Sequence, residues 1–376
     1  MIKQIRFVSV LILAVLVFGF SLAPIHAQNP TPTPVPLGPT LNSLRSRNQL
    51  SCGINQDSIG MGYLDPNSGD VVGFEVDLCR ALAAAVFGDP AAVDFPPYSS
   101  TDAALQALHS GEVDVLMWNT PTTLSGDASG LEYGSSFFYT GEGLMVRADG
   151  GPKTWEDLNS KTICVVKGSI AEAEIVHYAK ERNVNVQLIS PGSDTLQAAW
   201  QNLQDGRCDA LSAERLQLLS LRKRASDPQS YFVWDGAGDV YTHEAYSPIV
   251  RNDDEQWTNI VRWTMLGLVE AEQLGITSVT LENVIRQADK TTNKPEADET
   301  YLARVGIARA RFIDGTLGIG GLLGLAPDFM RPVIIAVGNY GEIYERHFGA
   351  EADLPLARGL NSLVSKGGLM YSPDWR

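Results

Sequence analysis

Few residues in this chain are placed to make or break covalent bonds. His109, His177, His243 and His347 are scattered and form no metal-binding pair. The cysteines Cys52, Cys79, Cys164 and Cys208 fit no zinc motif, because no two lie two to four residues apart. There is no Gly-x-Ser-x-Gly elbow. The glycines of residues 315–324 do not follow a strand as Gly-x-Gly-x-x-Gly and read as turns. Acidic residues are numerous, yet no pair announces itself as a general acid and base. The sequence offers binding chemistry instead. Gly168-Ser169 opens a helix whose free N–H groups and seryl hydroxyl can receive an anion, and Lys167 adds a cation beside it. Glu214 ends a short apolar run and offers a carboxylate to an amine. Trp118 brings a flat π-face ahead of Asn119-Thr120. No metal or cofactor is expected.

The composition narrows the class. The chain has 376 residues, of which 44% are hydrophobic and 19% charged, ordinary for a globular protein. A formal net charge of −15 repels nucleic acid and anionic lipid, so neither is expected as a partner. Lys3 and Arg6 precede an uncharged apolar run over residues 7–23, and Ala27 offers a cleavage point before Gln28. That pattern predicts a signal peptide over residues 1–27 and an exported protein. No cysteine follows the run to carry a lipid. A Thr/Pro-rich spacer is expected over residues 28–43, extended and unpacked. Export permits disulfides, and four cysteines allow three pairings.

A repeated unit sets the architecture. Residues 101–116 read as a capped helix, a glycine stop at Gly111, then Asp114 and a buried strand. Residues 193–211 read the same way, with the stop at Gly206 and the aspartate at Asp209. Helices over 76–87, 169–183, 213–225 and 254–275 alternate with short strands over 93–95, 162–166 and 185–189. Alternation of this kind predicts two similar α/β lobes with mostly parallel sheets. Trp257, Ile260, Val261 and Leu268 form the core stripe of the last helix. Ligands of open α/β sheets bind beyond the carboxyl ends of the strands, which points to residues 115–123, 167–170 and 211–214.

Several stretches then carry a resemblance: Ser51-Cys52-Gly53-Ile54-Asn55, Gly73-Phe74-Glu75-Val76-Asp77-Leu78-Cys79-Arg80-Ala81, Gly111-Glu112-Val113-Asp114-Val115-Leu116, Gly206-Arg207-Cys208-Asp209, Val337-Gly338-Asn339-Tyr340-Gly341-Glu342 and Lys366-Gly367-Gly368-Leu369-Met370. Over roughly residues 44–376 the chain resembles the general L-amino-acid-binding proteins of ABC importers, in family 3 of the periplasmic solute-binding proteins. The resemblance implies a two-lobed α/β fold of the type II periplasmic-binding kind, with a hinge and an inter-lobe ligand cleft. It implies a first lobe from residues 44–146 and 243–376, including a C-terminal extension, and a second from 147–242. It also implies a monomeric receptor, not an enzyme, that hands an amino-acid-like ligand to an ABC permease. The expected disulfides are Cys52–Cys79 and Cys164–Cys208, each inside one lobe so that the lobes can still move.

Carried over residue by residue, the family's pattern breaks in places. Its Thr-x-Ser-Arg-Asp run, whose arginine holds the ligand carboxylate, reads Thr123-Leu124-Ser125-Gly126-Asp127, with Gly126 in the arginine's place. Glu214 stands where an aspartate takes the ammonium, Met61 where an aromatic lids the ligand, and Trp118 where an arginine precedes Asn119-Thr120. The helix start at Ser169-Ile170 survives. Ligand contacts are therefore expected at Met61, Trp118, Asn119, Thr120, Thr123, Ser169, Ile170 and Glu214, with amine recognition kept and carboxylate recognition weakened. A degenerate receptor or a dehydratase-like enzyme using Glu214 as its acid are the competing readings.

Overall fold

The computed structural model describes residues 36–189, 195–234, 240–281, 313, 315, 319–373 and 375. The expected signal peptide and the first half of the expected spacer, residues 28–35, lie outside them, as do Ser193 and Asp194.

Two five-stranded sheets carry the architecture. The first has the order β5 (Val93–Asp94), β1 (Leu50–Ile54), β6 (Val115–Met117), β15 (Ile249–Arg251), β7 (Leu131–Tyr133). The second has the order β11 (Val186–Ile189), β10 (Lys161–Cys164), β12 (Ala210–Glu214), β9 (Glu142–Arg147), β13 (Tyr231–Val233). Each sheet is a parallel trio with its earliest strand in the middle, flanked by one antiparallel strand. The repeated unit explains the shared plan. Helix α3 (Thr101–Ser110) leads into β6, and helix α6 (Leu196–Gln204) leads into β12. Ser100 and Thr195 cap these helices, accepting from the N–H groups of Ala103 and Ala198. Thr101, read as the first cap, is instead the first helical residue. Gly111 and Gly206 take the left-handed conformation that stops each helix. The aspartate that follows is used identically in both. Asp114 accepts the Ser51 N–H at 2.8 Å, and Asp209 accepts the Thr162 N–H at 2.9 Å, fastening each third strand to the first strand of its trio.

Side chains alternate across these strands and fill separate cores. Cys52, Ile54, Val115 and Met117 face helix α2 (Phe74–Phe87) and helix α8 (Glu255–Gln273), while Leu116, Trp118, Leu131 and Ile249 pack under α3. In the second sheet Leu144, Val146, Ile163 and Ala210 face helix α5 (Ile170–Glu181), and Met145, Cys164 and Leu211 face α6. The predicted α8 stripe of Trp257, Ile260, Val261 and Leu268 is buried, and Asp254 caps that helix. Both expected disulfides form. Cys52–Cys79 joins β1 to α2 with Cα atoms 6.2 Å apart, and Cys164–Cys208 joins β10 to the turn before β12 with Cα atoms 5.8 Å apart.

The chain passes between the sheets twice, through a two-stranded ladder of β8 (Phe138–Thr140) and β14 (Glu244–Tyr246). Gly141 sits at the crossing because the two strands touch there, and a Cβ would collide with the Thr242 carbonyl. A three-stranded sheet of β2 (Asp57–Ser58), β3 (Gly62–Leu64) and β4 (Val71–Val72) extends the first lobe.

Three boundaries differ from expectation. Residues 39–43, assigned to the spacer, begin helix α1 (Pro39–Arg47). Proline suits the first helical turn, Leu41 and Leu44 bury one face, and Asp254 accepts the Thr40 N–H at 2.8 Å. Ala213 and Glu214, read as helix, complete β12, and helix α7 starts at Arg215 and runs to Arg224. Strand β9 runs across the expected lobe limit at residues 146/147. Among the described residues no helix is long and apolar enough to cross a membrane.

Candidate functional site

Beyond the carboxyl ends of β1 and β6, against α6 and α7, lies a cavity of about 240 Å3. The first lobe contributes Asn55, Asp57, Ser58 and Asn119. These form a connected wall: Asn55 Nδ2 donates to Asn119 Oδ1 at 3.0 Å, and Asn119 Nδ2 donates to Ser58 Oγ at 3.4 Å. The second lobe contributes Leu196 and Gln197 from the start of α6, and Gln217, Ser220, Leu221 and Arg224 from α7. The α7 residues recur at intervals of three and four, so one helical face lines the space. Arg224 closes the rim by donating from Nη2 to the Asp57 carbonyl at 2.9 Å. Lys223 pairs with Asp353 at 3.3 Å on the outside.

Asn119 is the residue put forward from sequence that lies on this cavity wall. Glu214 is buried directly behind it. Its Oε1 accepts the Thr140 hydroxyl at 2.6 Å, and its Oε2 accepts the N–H of Gln217, whose side chain reaches the cavity. Met61 is fully buried in the first core. Trp118 packs under α3, and its Nε1 donates to Thr101 Oγ1 at 3.1 Å, which ties the indole down away from the cavity. Thr120 is half-buried and donates its N–H to the Trp118 carbonyl. Thr123 is exposed and caps the short helix α4 (Leu124–Ala128). Ser169 caps α5, and Ile170 is exposed. The anion site expected there is already served from within the chain, since Glu172 Oε2 accepts the Gly168 N–H at 2.6 Å.

Carboxylates crowd the lobe crossing. Burial pushes Glu214 up to about 7 against the opposing pull of the hydrogen bonds it accepts. Burial, reinforced by the Glu244 and Glu214 charges, pushes Glu142 up to about 8. Glu244 is raised by burial as well and accepts the Thr242 hydroxyl at 3.0 Å. Glu75 on α2 is fully buried with neither carboxyl oxygen hydrogen-bonded, and burial holds it far above the ordinary carboxylate range. Such groups take up a proton or a cation readily. Among the described residues no grouping of His, Cys, Asp and Glu is arranged to hold a metal ion.

The departure at residue 126 has a structural counterpart. A Cβ on Gly126 would run into Tyr133 Oη and lie 3.1 Å from its Cζ. Tyr133 thus fills the space a side chain at 126 would need.

With the geometry in view, the relatives decide the class. Residues 50–276 match the bacterial extracellular solute-binding proteins, family 3. The chain belongs to that family. Family 3 accounts for the two lobes, the hinge and the cleft between them. The general L-amino acid-binding periplasmic protein AapJ of Rhizobium johnstonii is 35% identical over 90% of this chain and 93% of its own. The glutamate/glutamine/aspartate/asparagine-binding protein BztA of Rhodobacter capsulatus is also 35% identical, with the same coverage. A structure of an ABC-transporter periplasmic binding protein from Brucella ovis with glutathione bound superposes with a TM-score of 0.74 at 32% identity, covering 90% of this chain and 99% of that one. These family members are binding proteins, and this chain is a solute-binding protein of an amino-acid ABC transport system.

Sequence reasoning missed Asn55, Ser58, Gln217 and Arg224. The rule that ligands bind beyond strand ends applied to β1 as well as to the strands considered, and it would have given Asn55. Polar residues recur at 217, 220 and 224 on one face of the helix, a pattern equally consistent with a solvated surface.

Proposed function

We propose that this protein is exported by cleavage of its leader and, as a monomer, delivers an amino acid or a related small amine to an ABC permease without turning it over. The lobes are residues 44–146 with 243–376, and residues 147–242, with β9 threading the boundary. The observation that carries the reading is the cavity shared by the two lobes, with carboxamides and hydroxyls from both and the raised, buried Glu214 behind Gln217. Glu214 receives the ammonium, because a cation beside a buried carboxylate repays its desolvation. The names of the Rhizobium and Rhodobacter relatives support an amino acid. The Brucella structure supports an amine that carries an acid group, since glutathione has both.

Calorimetry against the twenty amino acids, simple amines and glutathione tests this, with product analysis of every mixture. At least one amine-bearing compound should bind, none should be consumed, and Glu214→Gln should lose at least tenfold in affinity, since breaking a buried charge pair costs about 2–5 kcal/mol. Binding undiminished in Glu214→Gln would move the ammonium elsewhere, and turnover of any compound would make the protein an enzyme.

A further inference from the structure

Gly126 and Tyr133 leave the ligand's acid group without its usual guanidinium, and α7 carries a replacement. Among the described residues lining the cavity, Arg224 is the cation. Its neighbours on the last turn of α7 are engaged outside: Arg222 Nε donates to the Pro228 carbonyl at 3.3 Å, and Lys223 pairs with Asp353. Arg224 sits at the rim, and its described hydrogen bond is from Nη2 to the Asp57 carbonyl. A guanidinium has five N–H donors in a planar fork, so the bond to Asp57 leaves donors available at the cavity rim. Ser220 and Gln217, one and two turns back on the same face, offer neutral partners beside it. Helix α7 thus brings a cation to the cavity rim at its last turn, and at its start the buried carboxylate of Glu214 lies behind the lining residue Gln217.

We propose that Arg224 binds the carboxylate of the ligand, supplying from the second lobe the charge that the first lobe lacks. This rests on the amine-and-acid ligand class proposed above. Glu214 and Arg224 are ten positions apart, about 15 Å along the helix. A free α-amino acid does not reach between those two backbone positions unless the long side chains fold toward one another. Longer ligands, such as short peptides with a free amino end and a free carboxyl end, span the interval more directly. The site therefore favours acid-bearing amines over simple amines.

The test titrates wild type and Arg224→Gln with each of the twenty amino acids, with di- and tripeptides of alanine, and with the C-terminal amide of every compound that binds. Arg224 is exposed at the rim, so the substitution leaves the core intact. Wild type should prefer acids to their amides by about tenfold or more, and Arg224→Gln should lose that preference while its affinity for the amides stays within about threefold. Arg224→Lys, which keeps the charge without the fork, should fall between. Equal weakening toward acid and amide would make Arg224 only a latch on Asp57 and overturn the assignment, as would an unchanged preference. A wild-type protein that binds no acid-bearing amine would refute the ligand class itself, a result distinct from binding that ignores Arg224.

Discussion

Replacing Gly126 by alanine should be unfavourable only while Tyr133 is present. Gly126 lies inside α4 with backbone angles that any residue adopts. Helix propensity alone therefore favours alanine there by about 1 kcal/mol. The added methyl, however, would overlap Tyr133 Oη and crowd Cζ at 3.1 Å and Thr123 Oγ1 at 3.2 Å. Tyr133 is anchored through its backbone in β7 opposite Ile249, and Thr123 uses its hydroxyl to accept the Gly126 N–H, so relief would have to come from a shift of the Tyr133 ring. Overpacking of this kind costs about 1–3 kcal/mol. A double-mutant cycle separates the two effects. Measured by urea denaturation, Gly126→Ala should be neutral to destabilising by about 2 kcal/mol in wild type, and should stabilise by up to about 1 kcal/mol in the Tyr133→Ala background. The coupling should reach about 1–3 kcal/mol, well outside the roughly 0.5 kcal/mol expected for independent sites. If the two substitutions add within that margin, Tyr133 does not fill the space at 126, and the account of the missing arginine fails. The family's arginine, introduced as Gly126→Arg, should likewise be accommodated only once Tyr133 is truncated.

Removing the disulfides should cost about 3.5 kcal/mol for Cys52–Cys79 and about 4 kcal/mol for Cys164–Cys208 by loop-closure entropy, given separations of 27 and 44 residues; double alanine variants with unchanged denaturation midpoints would contradict this. Glu142 and Glu214 are raised to about 8 and about 7, so the folded protein holds protons that the unfolded chain releases above the ordinary glutamate range. Their stabilising contribution is complete below that range and is lost as pH rises through 7 and 8, so the melting temperature should fall between pH 5 and pH 8.5, and Glu142→Gln should flatten the fall; a rise with pH in wild type would reverse the assignment. Gly141→Ala should destabilise by about 1–3 kcal/mol, because its methyl meets the Thr242 carbonyl, a backbone atom fixed in the crossing; a neutral effect in thermal melts would show that the crossing strands are looser than described.

The fold was legible because its signals are local and used twice. A helix, a glycine stop and an aspartate before an apolar run need only neighbouring residues to be recognised, and Asp114 and Asp209 play the same part in both lobes. Boundaries were less legible where a tertiary partner decides them. Pro39 and Thr40 look like spacer until Asp254, more than two hundred residues away, offers its carboxylate. The site was hardest to read for the same reason. Trp118 is drawn under α3 by Thr101, and the anion site at Ser169 is taken by Glu172. Conversely, Arg224 looks like one of three basic residues completing a helix C-terminus, where the dipole favours them, until Asp57 from the other lobe meets it.

Helix α7 connects these observations. Its first turn is anchored at the crossing, where Glu214 caps it and accepts from Thr140, and Leu216 is buried with the first lobe's core. Its last turn, about 15 Å away, reaches the first lobe through Arg224 on the Asp57 carbonyl and Lys223 on Asp353. Rotation of one lobe about the crossing moves the anchored end little and the far end most. Opening is therefore expected to break the rim contacts and leave those at Glu214 in place. Exposed ion pairs such as Lys223–Asp353 contribute about 0–1 kcal/mol, too little to hold the cleft shut. A ligand that reaches the far end of α7 interacts there only in the closed form, and that differential interaction is what shifts the equilibrium toward closure.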